Sequence, residues 1–141
     1  MNTTSRKGVL VIGGGITGIQ TALDLAKAGF QVHLVERLPS IGGRMAQLDK
    51  TFPTNDCSTC ILSPKMSECA RHPRITIHIN SSLDSISGEP GEFKCTITER
   101  AKFVDPAKCV ACGLCEEKCP VKVDDVFDTG LRKRKAISRY F

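Results

Sequence analysis

Tryptophan is absent from this chain, tyrosine occurs once, and aromatic residues make up only 5% of its 141 positions. A formal charge of +5 therefore comes without the aromatic platforms that stack on bases, which argues against a nucleic-acid protein. No apolar stretch approaches the roughly 20 residues needed to cross a bilayer, so no membrane span is expected. The three histidines, at 33, 72 and 78, have no second ligand at a metal spacing, and His33 reads as a packing residue of an apolar strand. No Ser/His/Asp arrangement or paired acid supports hydrolysis. Internal repeats and low-complexity segments are also missing. The start, MNTTSRKGVLVIGGG, has no sustained apolar core followed by a cleavage site, so a cytoplasmic protein is expected.

Cysteine, by contrast, is plentiful, with eight in the chain. In a reducing compartment clustered cysteines bind metal or do redox work more often than they form bridges. Cys109, Cys112, Cys115 and Cys119 follow one another at spacings of two, two and three residues, with Pro120 closing the run. Thiolates this dense can wrap a cubic [4Fe-4S] cluster, whereas zinc ligands usually come as two separated pairs. In two-cluster ferredoxins the fourth cysteine of such a run serves the other cluster, which leaves open whether Cys119 shares a cube with the first three.

Residues 8–12, GVLVI, read as a buried parallel strand that stops at the G-x-G-x-x-G pattern Gly13, Gly15, Gly18. Apolar residues then recur at helical spacing from Ile16 to Ala28, with Gly29 as a stop signal. A second strand, 31–35, ends at Glu36. The pattern thus follows a strand, opens a helix and precedes an acidic residue at the distance a dinucleotide fingerprint requires. Gly13 permits the tight turn, Gly15 lets backbone approach a pyrophosphate, and Gly18 lets helix pack on strand. Glu36 is suited to ribose hydroxyls and would repel a 2'-phosphate.

Further along, Cys57 and Cys60 form a CxxC, readable as a redox pair, half a metal site or two buried thiols, near a helix expected to start around Pro64. Cys69 reads as a packed or surface thiol. Alternation at 74–80 and 93–98, around the turn 88–91, predicts two strands, with Cys95 on an apolar, core-facing side. The basic run 131–141, with much of the positive excess in Arg132, Lys133, Arg134, Lys135 and Arg139, reads as a solvated tail.

The stretch from Glu36 and Arg37 through Gly42, Gly43, Arg44 and Met45 resembles the second signature of FAD-dependent disulfide reductases and amine oxidases, where a Gly-Gly-Arg turn lies along the flavin diphosphate. Taken with GGRMAQLDKTFPTNDCSTCILSPKM, RHPRITIHI, GEFK, FVDPAKC and LRKRKAI, the sequence resembles the A-type flavoprotein of heterodisulfide reductase from about residue 7 onward. The resemblance implies FAD on Gly13, Gly15, Gly18, Glu36, Arg37, Gly43 and Arg44. It implies iron-sulfur on Cys109, Cys112, Cys115 and Cys119, with Cys57 and Cys60 as further candidate ligands. The expected fold class is α/β: a Rossmann-like FAD-binding βαβ start with a ferredoxin-like [4Fe-4S] insert and an incomplete sheet. The expected division is 1–100 for the FAD part, 101–130 for the cluster segment, and 131–141 for a basic tail or a truncated return to the FAD domain.

The expected function is FAD- and [4Fe-4S]-dependent electron transfer, with other heterodisulfide reductase-type subunits or an electron-donor protein as partners. Electron bifurcation is implied by the resemblance alone. Family members are much longer, so the chain is expected to be an N-terminal fragment, a truncated gene or half of a split protein. Three other readings stand beside this one: a non-catalytic iron-sulfur electron-transfer module, the related flavoprotein of a quinone-interacting oxidoreductase, and a zinc-stapled nucleotide sensor.

Overall fold

The computed structural model describes residues 7–105 and 107–138. The leader reading at 1–6, Pro106 of FVDPAKC, and residues 139–141 of the basic run, Arg139 among them, lie outside the described residues. The chain divides into two units, one up to Ala101 and one from Lys102 onward.

In the first unit, strand β1 (Val9–Ile12) leads into helix α1 (Ile16–Lys27) and strand β2 (Val32–Val35). Helix α1 turns Ile19, Ala22, Leu23 and Ala26 inward, a stripe at spacings of three and four residues, and all four are buried. It ends where Gly29 adopts a left-handed φ of 101°. There Gly29 N–H donates to Ala26 O at 3.1 Å and Phe30 N–H to Leu25 O at 3.1 Å, closing the last turn.

A 3-10 turn (Gly43–Gln47) precedes helix α2 (Ser58–Arg71), and strand β3 (Ile75–His78) follows. The parallel sheet has the order β1-β2-β3, with Val9 opposite Val32 and Val32 opposite Ile75. Val11, Val32 and Leu34 meet the α1 stripe, and Leu62 and Cys69 of α2 complete the core. Burying each large aliphatic side chain there contributes about 1.5–3 kcal/mol. Among the described residues, strand β1 pairs only with β2.

Two expectations need correction in this unit. Helix α2 begins at Ser58, not near Pro64, because Cys57 caps it; Pro64 lies inside the helix, where it cannot donate to the carbonyl one turn back. The two strands expected at 74–80 and 93–98 both form; the first joins the parallel sheet, and the second pairs in a hairpin with β4 (Ser81–Glu89) as β5 (Glu92–Glu99), closed at Pro90 and Gly91. Cys95 is only half-buried and is not among the core residues, and Ile86 opposite it in the hairpin is 55% exposed.

The second unit holds helix α3 (Leu114–Lys118) and a small antiparallel pair, β6 (Lys122–Asp124) with β7 (Lys133–Lys135). The basic run is therefore not wholly a solvated tail. Buried Asp125 accepts Arg132 Nε at 3.0 Å and the N–H of Phe127 at 3.1 Å, and Asp128 accepts Arg132 Nε at 3.1 Å. Opposite charge folds the run back onto the acidic stretch 124–128.

Candidate functional site

The turn between β1 and α1 is held by its own backbone. Gly13, at φ 96°, donates its N–H to Val35 O at 2.8 Å, joining the turn to β2. A Cβ on Gly18 would overlap the Gly13 carbonyl oxygen, so this glycine is demanded by helix-strand contact. A Cβ on Gly13 or Gly15 would meet nothing within 4 Å. These two positions border open space, and a cavity of about 490 Å³ lies there, lined also by Thr17, Thr21, Arg44 and Met45.

Glu36 ends β2 and is buried. Its Oε2 accepts the Gly14 N–H at 2.6 Å and its Oε1 the Leu38 N–H at 2.8 Å. A carboxylate has about four acceptor positions, so room remains for two hydroxyl donors. Arg37, next along, is exposed.

The second signature folds against the first. Gly42 N–H donates to Gly14 O at 2.7 Å, and a Cβ on Gly43 would stand 2.9 Å from Gly15 Cα. Gly42 and Gly43 both have positive φ, at 121° and 58°, which only glycine adopts at low cost. Helix α2 backs this turn through Leu62 and Met66, whose side chains would lie 3.5 and 3.3 Å from a Cβ on Gly42. The helix N-terminus, the first glycine turn, and Arg44 and Met45 after the second thus border one cavity. That donor set fits a diphosphate bridging to a ribose.

In the second unit, Cys109, Cys112 and Cys115 are exposed and Cys119 is buried. Ala111 and Gly113 take left-handed φ values of 54° and 82°, curling the backbone between the first three thiols. Backbone hydrogen bonding at Ile137, and then at Val121, holds the Cys119 thiol below its ordinary range. Lys135 Nζ donates to the Cys119 carbonyl at 2.7 Å. Soft sulfur donors with nearby amides suit an iron-sulfur cluster. Among the described residues, however, no three His, Cys, Asp or Glu side chains converge as a metal site, so the four thiols are not gathered here.

Cys57 and Cys60, readable from sequence as a redox pair or half a metal site, take the paired form. The structure joins them in a disulfide, with Cα atoms 5.2 Å apart at the start of α2. A disulfide sulfur carries no thiolate to donate, so in this state they are not metal ligands.

Comparison with known proteins agrees with the two-part layout. Residues 11–66 match the NAD(P)-binding Rossmann-like domain family, and residues 102–123 match the 4Fe-4S binding domain family. The chain is 54% identical over 132 residues to the second A-type iron-sulfur protein of the CoB-CoM heterodisulfide reductase of Methanopyrus kandleri, covering 94% of this chain. It is 55% identical over 131 residues to the heterodisulfide reductase A-like protein of Archaeoglobus profundus. The chain belongs to the heterodisulfide reductase A family. It spans about a fifth of these relatives, 20% of the first and 19% of the second, while they cover 94% and 92% of it.

Solved structures share the fold over about two thirds of this chain. L-proline dehydrogenase from P. horikoshii superposes with a TM-score of 0.56 at 24% identity, over 64% of this chain and 18% of its own. Thioredoxin reductase from T. acidophilum gives 0.54 at 19% identity, over 67% and 32%.

Some site residues had weak sequence signals. Thr17 and Thr21 lie four apart on α1, so one helix face carries both to the cavity. His33 and His78 come together at 3.2 Å, Nδ1 to Nε2, and His78 also contacts Glu99. Their parallel strands put Val35 opposite His78, a register that sequence spacing alone does not specify.

Proposed function

We propose that this chain is the FAD- and [4Fe-4S]-bearing part of an oxidoreductase component of heterodisulfide reductase A type, working in electron transfer. The observation that carries the reading is the opposed behaviour of the fingerprint glycines. Gly18 and Gly43 are closed by backbone, while Gly13 and Gly15 face open space beside Arg44. Packing explains the first pair and a left-handed φ of 96° explains Gly13, which leaves Gly15 as the glycine kept bare for a ligand.

In this reading the first N–H groups of α1 bind the diphosphate, which no intrahelical carbonyl claims. Arg44 neutralises phosphate charge, Gly43 keeps that turn close, and Glu36 takes ribose hydroxyls on its remaining lone pairs. Arg37, on the same loop, adds positive charge at the rim. Cys109, Cys112, Cys115 and Cys119 supply thiolates to the cluster, and amides near Cys119 tune it. Bound flavin exchanges two electrons or one at a time, and a cubic cluster exchanges one, so the pair converts between the two. Bifurcation between two acceptors is the finer form of this reading. Other heterodisulfide reductase-type subunits or a donor protein serve as partners. The nucleotide part runs to about residue 100 and the cluster part onward from there, with the basic strand β7 belonging to the latter.

The test is anaerobic expression of the 141-residue chain with iron, sulfide and flavin quantitation. Iron and sulfide in equal amounts with bound flavin is the expected result. Iron without flavin favours an electron-transfer module alone, and zinc without sulfide overturns the redox reading.

A further inference from the structure

The bridge between Cys57 and Cys60 has no part in the nucleotide cradle or in the cysteine run. Both residues are exposed, and they flank the first two residues of a 14-residue helix. The Cys57 sulfur is the cap of α2, accepting the Cys60 N–H at 3.2 Å. The backbone beneath is fixed. Ser58 between them is fully buried, its N–H donates to Asp49 O at 3.1 Å, and Cys57 bridges to Lys50. A rigid seat thus carries an accessible disulfide. On opening, one of its sulfurs becomes a thiolate at a helix N-terminus, where an N–H and the helix dipole stabilise negative charge.

We propose that Cys57 and Cys60 form a thiol-disulfide exchange site that takes two electrons from a dithiol and returns them to a disulfide. A thiolate of the incoming dithiol bonds to Cys60 Sγ. The Cys57–Cys60 bond breaks, and its electron pair leaves on the capped Cys57 sulfur. The second thiol of the donor then attacks the donor's own sulfur in the mixed disulfide, releasing Cys60 as a thiolate that takes a proton. The donor ends as a cyclic disulfide and the chain as a dithiol, two electrons and two protons having passed. Toward a second, linear disulfide the freed Cys57 thiolate attacks one sulfur and expels the other as a thiolate, and Cys60 then attacks Cys57 Sγ, releasing the remaining thiol and reforming the bridge. Cys57 therefore acts as nucleophile and leaving group, and Cys60 as the resolving thiol.

The experiment uses the 141-residue chain equilibrated anaerobically with graded mixtures of reduced and oxidised dithiothreitol, quenched, unfolded, alkylated and mapped by peptide mass. Cys57 and Cys60 are expected to change state together, as one two-electron step, while Cys95 stays labelled throughout. With hydroxyethyl disulfide, the reduced Cys60→Ser chain is expected to trap a mixed disulfide on Cys57 about tenfold faster than on Cys95. Two thiols that remain reduced in the most oxidising mixture, or that react independently of each other, overturn the proposal. So does a fall in bound iron in either Cys57→Ser or Cys60→Ser, which makes them ligands instead. The wild-type titration needs no variant to fold. Its outcome is independent of whether flavin is bound.

Discussion

The buried carboxylate of Glu36 accepts the backbone N–H of Gly14 at 2.6 Å, tying the end of β2 to the glycine turn before α1. The same side chain also accepts Leu38 N–H at 2.8 Å, so one residue ties the glycine turn to the loop after β2. Glu36→Ala strips two backbone donors of their partner and is expected to cost about 1–3 kcal/mol, read by chemical denaturation. Flavin retention should fall as well. Glu36→Gln keeps one acceptor oxygen and should lose less stability than Glu36→Ala; equal losses would mean the carboxylate does not organise the turn.

Gly15 and Gly18 separate ligand space from packing space. Gly15 has φ −73° and ψ 179°, which alanine adopts freely, and a Cβ there meets nothing. Gly15→Ala should leave the melting temperature nearly unchanged and abolish flavin binding. Gly18→Ala, which drives a methyl into the Gly13 carbonyl, should destabilise by about 1–3 kcal/mol or more. A Gly15→Ala chain that melts as early as Gly18→Ala would contradict the assignment.

Leu23 is 1% exposed between α1 and the sheet. Leu23→Ala should cost about 2–5 kcal/mol through lost transfer energy and a residual cavity. Denaturation followed by circular dichroism checks it. The hairpin residue Ile86, 55% exposed, serves as the control, and Ile86→Ala should change little.

Alkaline pH tests the contact between α1 and α2. Glu68, 2.9 Å from Lys27, holds that ammonium above its ordinary 10.5, and burial, then Glu68, pushes the Cys69 thiol above 9.0. Each folded-state value is raised, so each contribution is fully present below the unfolded value and fades as pH climbs through the folded one. Stability should therefore begin to fall above pH 9.0 through Cys69 and fall further above 10.5 through Lys27. Cys69→Ala should remove the earlier part of the decline in a denaturation series across roughly pH 8 to 11, and Lys27→Met the later part. A decline unchanged in both variants would refute the account.

Cluster chemistry predicts a steep response in the second unit. Cys112→Ser should lower bound iron by at least about half, read by iron and sulfide assay, because a hydroxyl is a poor substitute for thiolate. Removing metal with a chelator should also loosen residues 107–138, seen as faster hydrogen exchange, since metal binding and folding are coupled in such segments. Unchanged exchange would show that the Asp125–Arg132 pairing alone holds this unit.

Much of this molecule is local, and local features are written in the chain. The β1-α1-β2 order follows from a short apolar run, a helical stripe at Ile19, Ala22, Leu23 and Ala26, and a glycine stop at Gly29. Residue type and spacing determine these by themselves. So do the cysteine run and both glycine signatures, because each needs a backbone freedom or a donor that only one residue type supplies. Other features depend on which segments meet. Alternation marks β3 as a strand, but its parallel pairing with β2, which buries Ile75 on the core, is a gain no local pattern reveals. Arg132 and Lys133 look like a solvated tail until Asp124, Asp125 and Asp128 lie beside them. The helix α2 begins six residues before Pro64, and that shift alone turns Cys57 from a loop thiol into a helix cap bonded to Cys60. Residue chemistry was legible in the order of amino acids; proximity was decided by burial and charge pairing across segments far apart in that order.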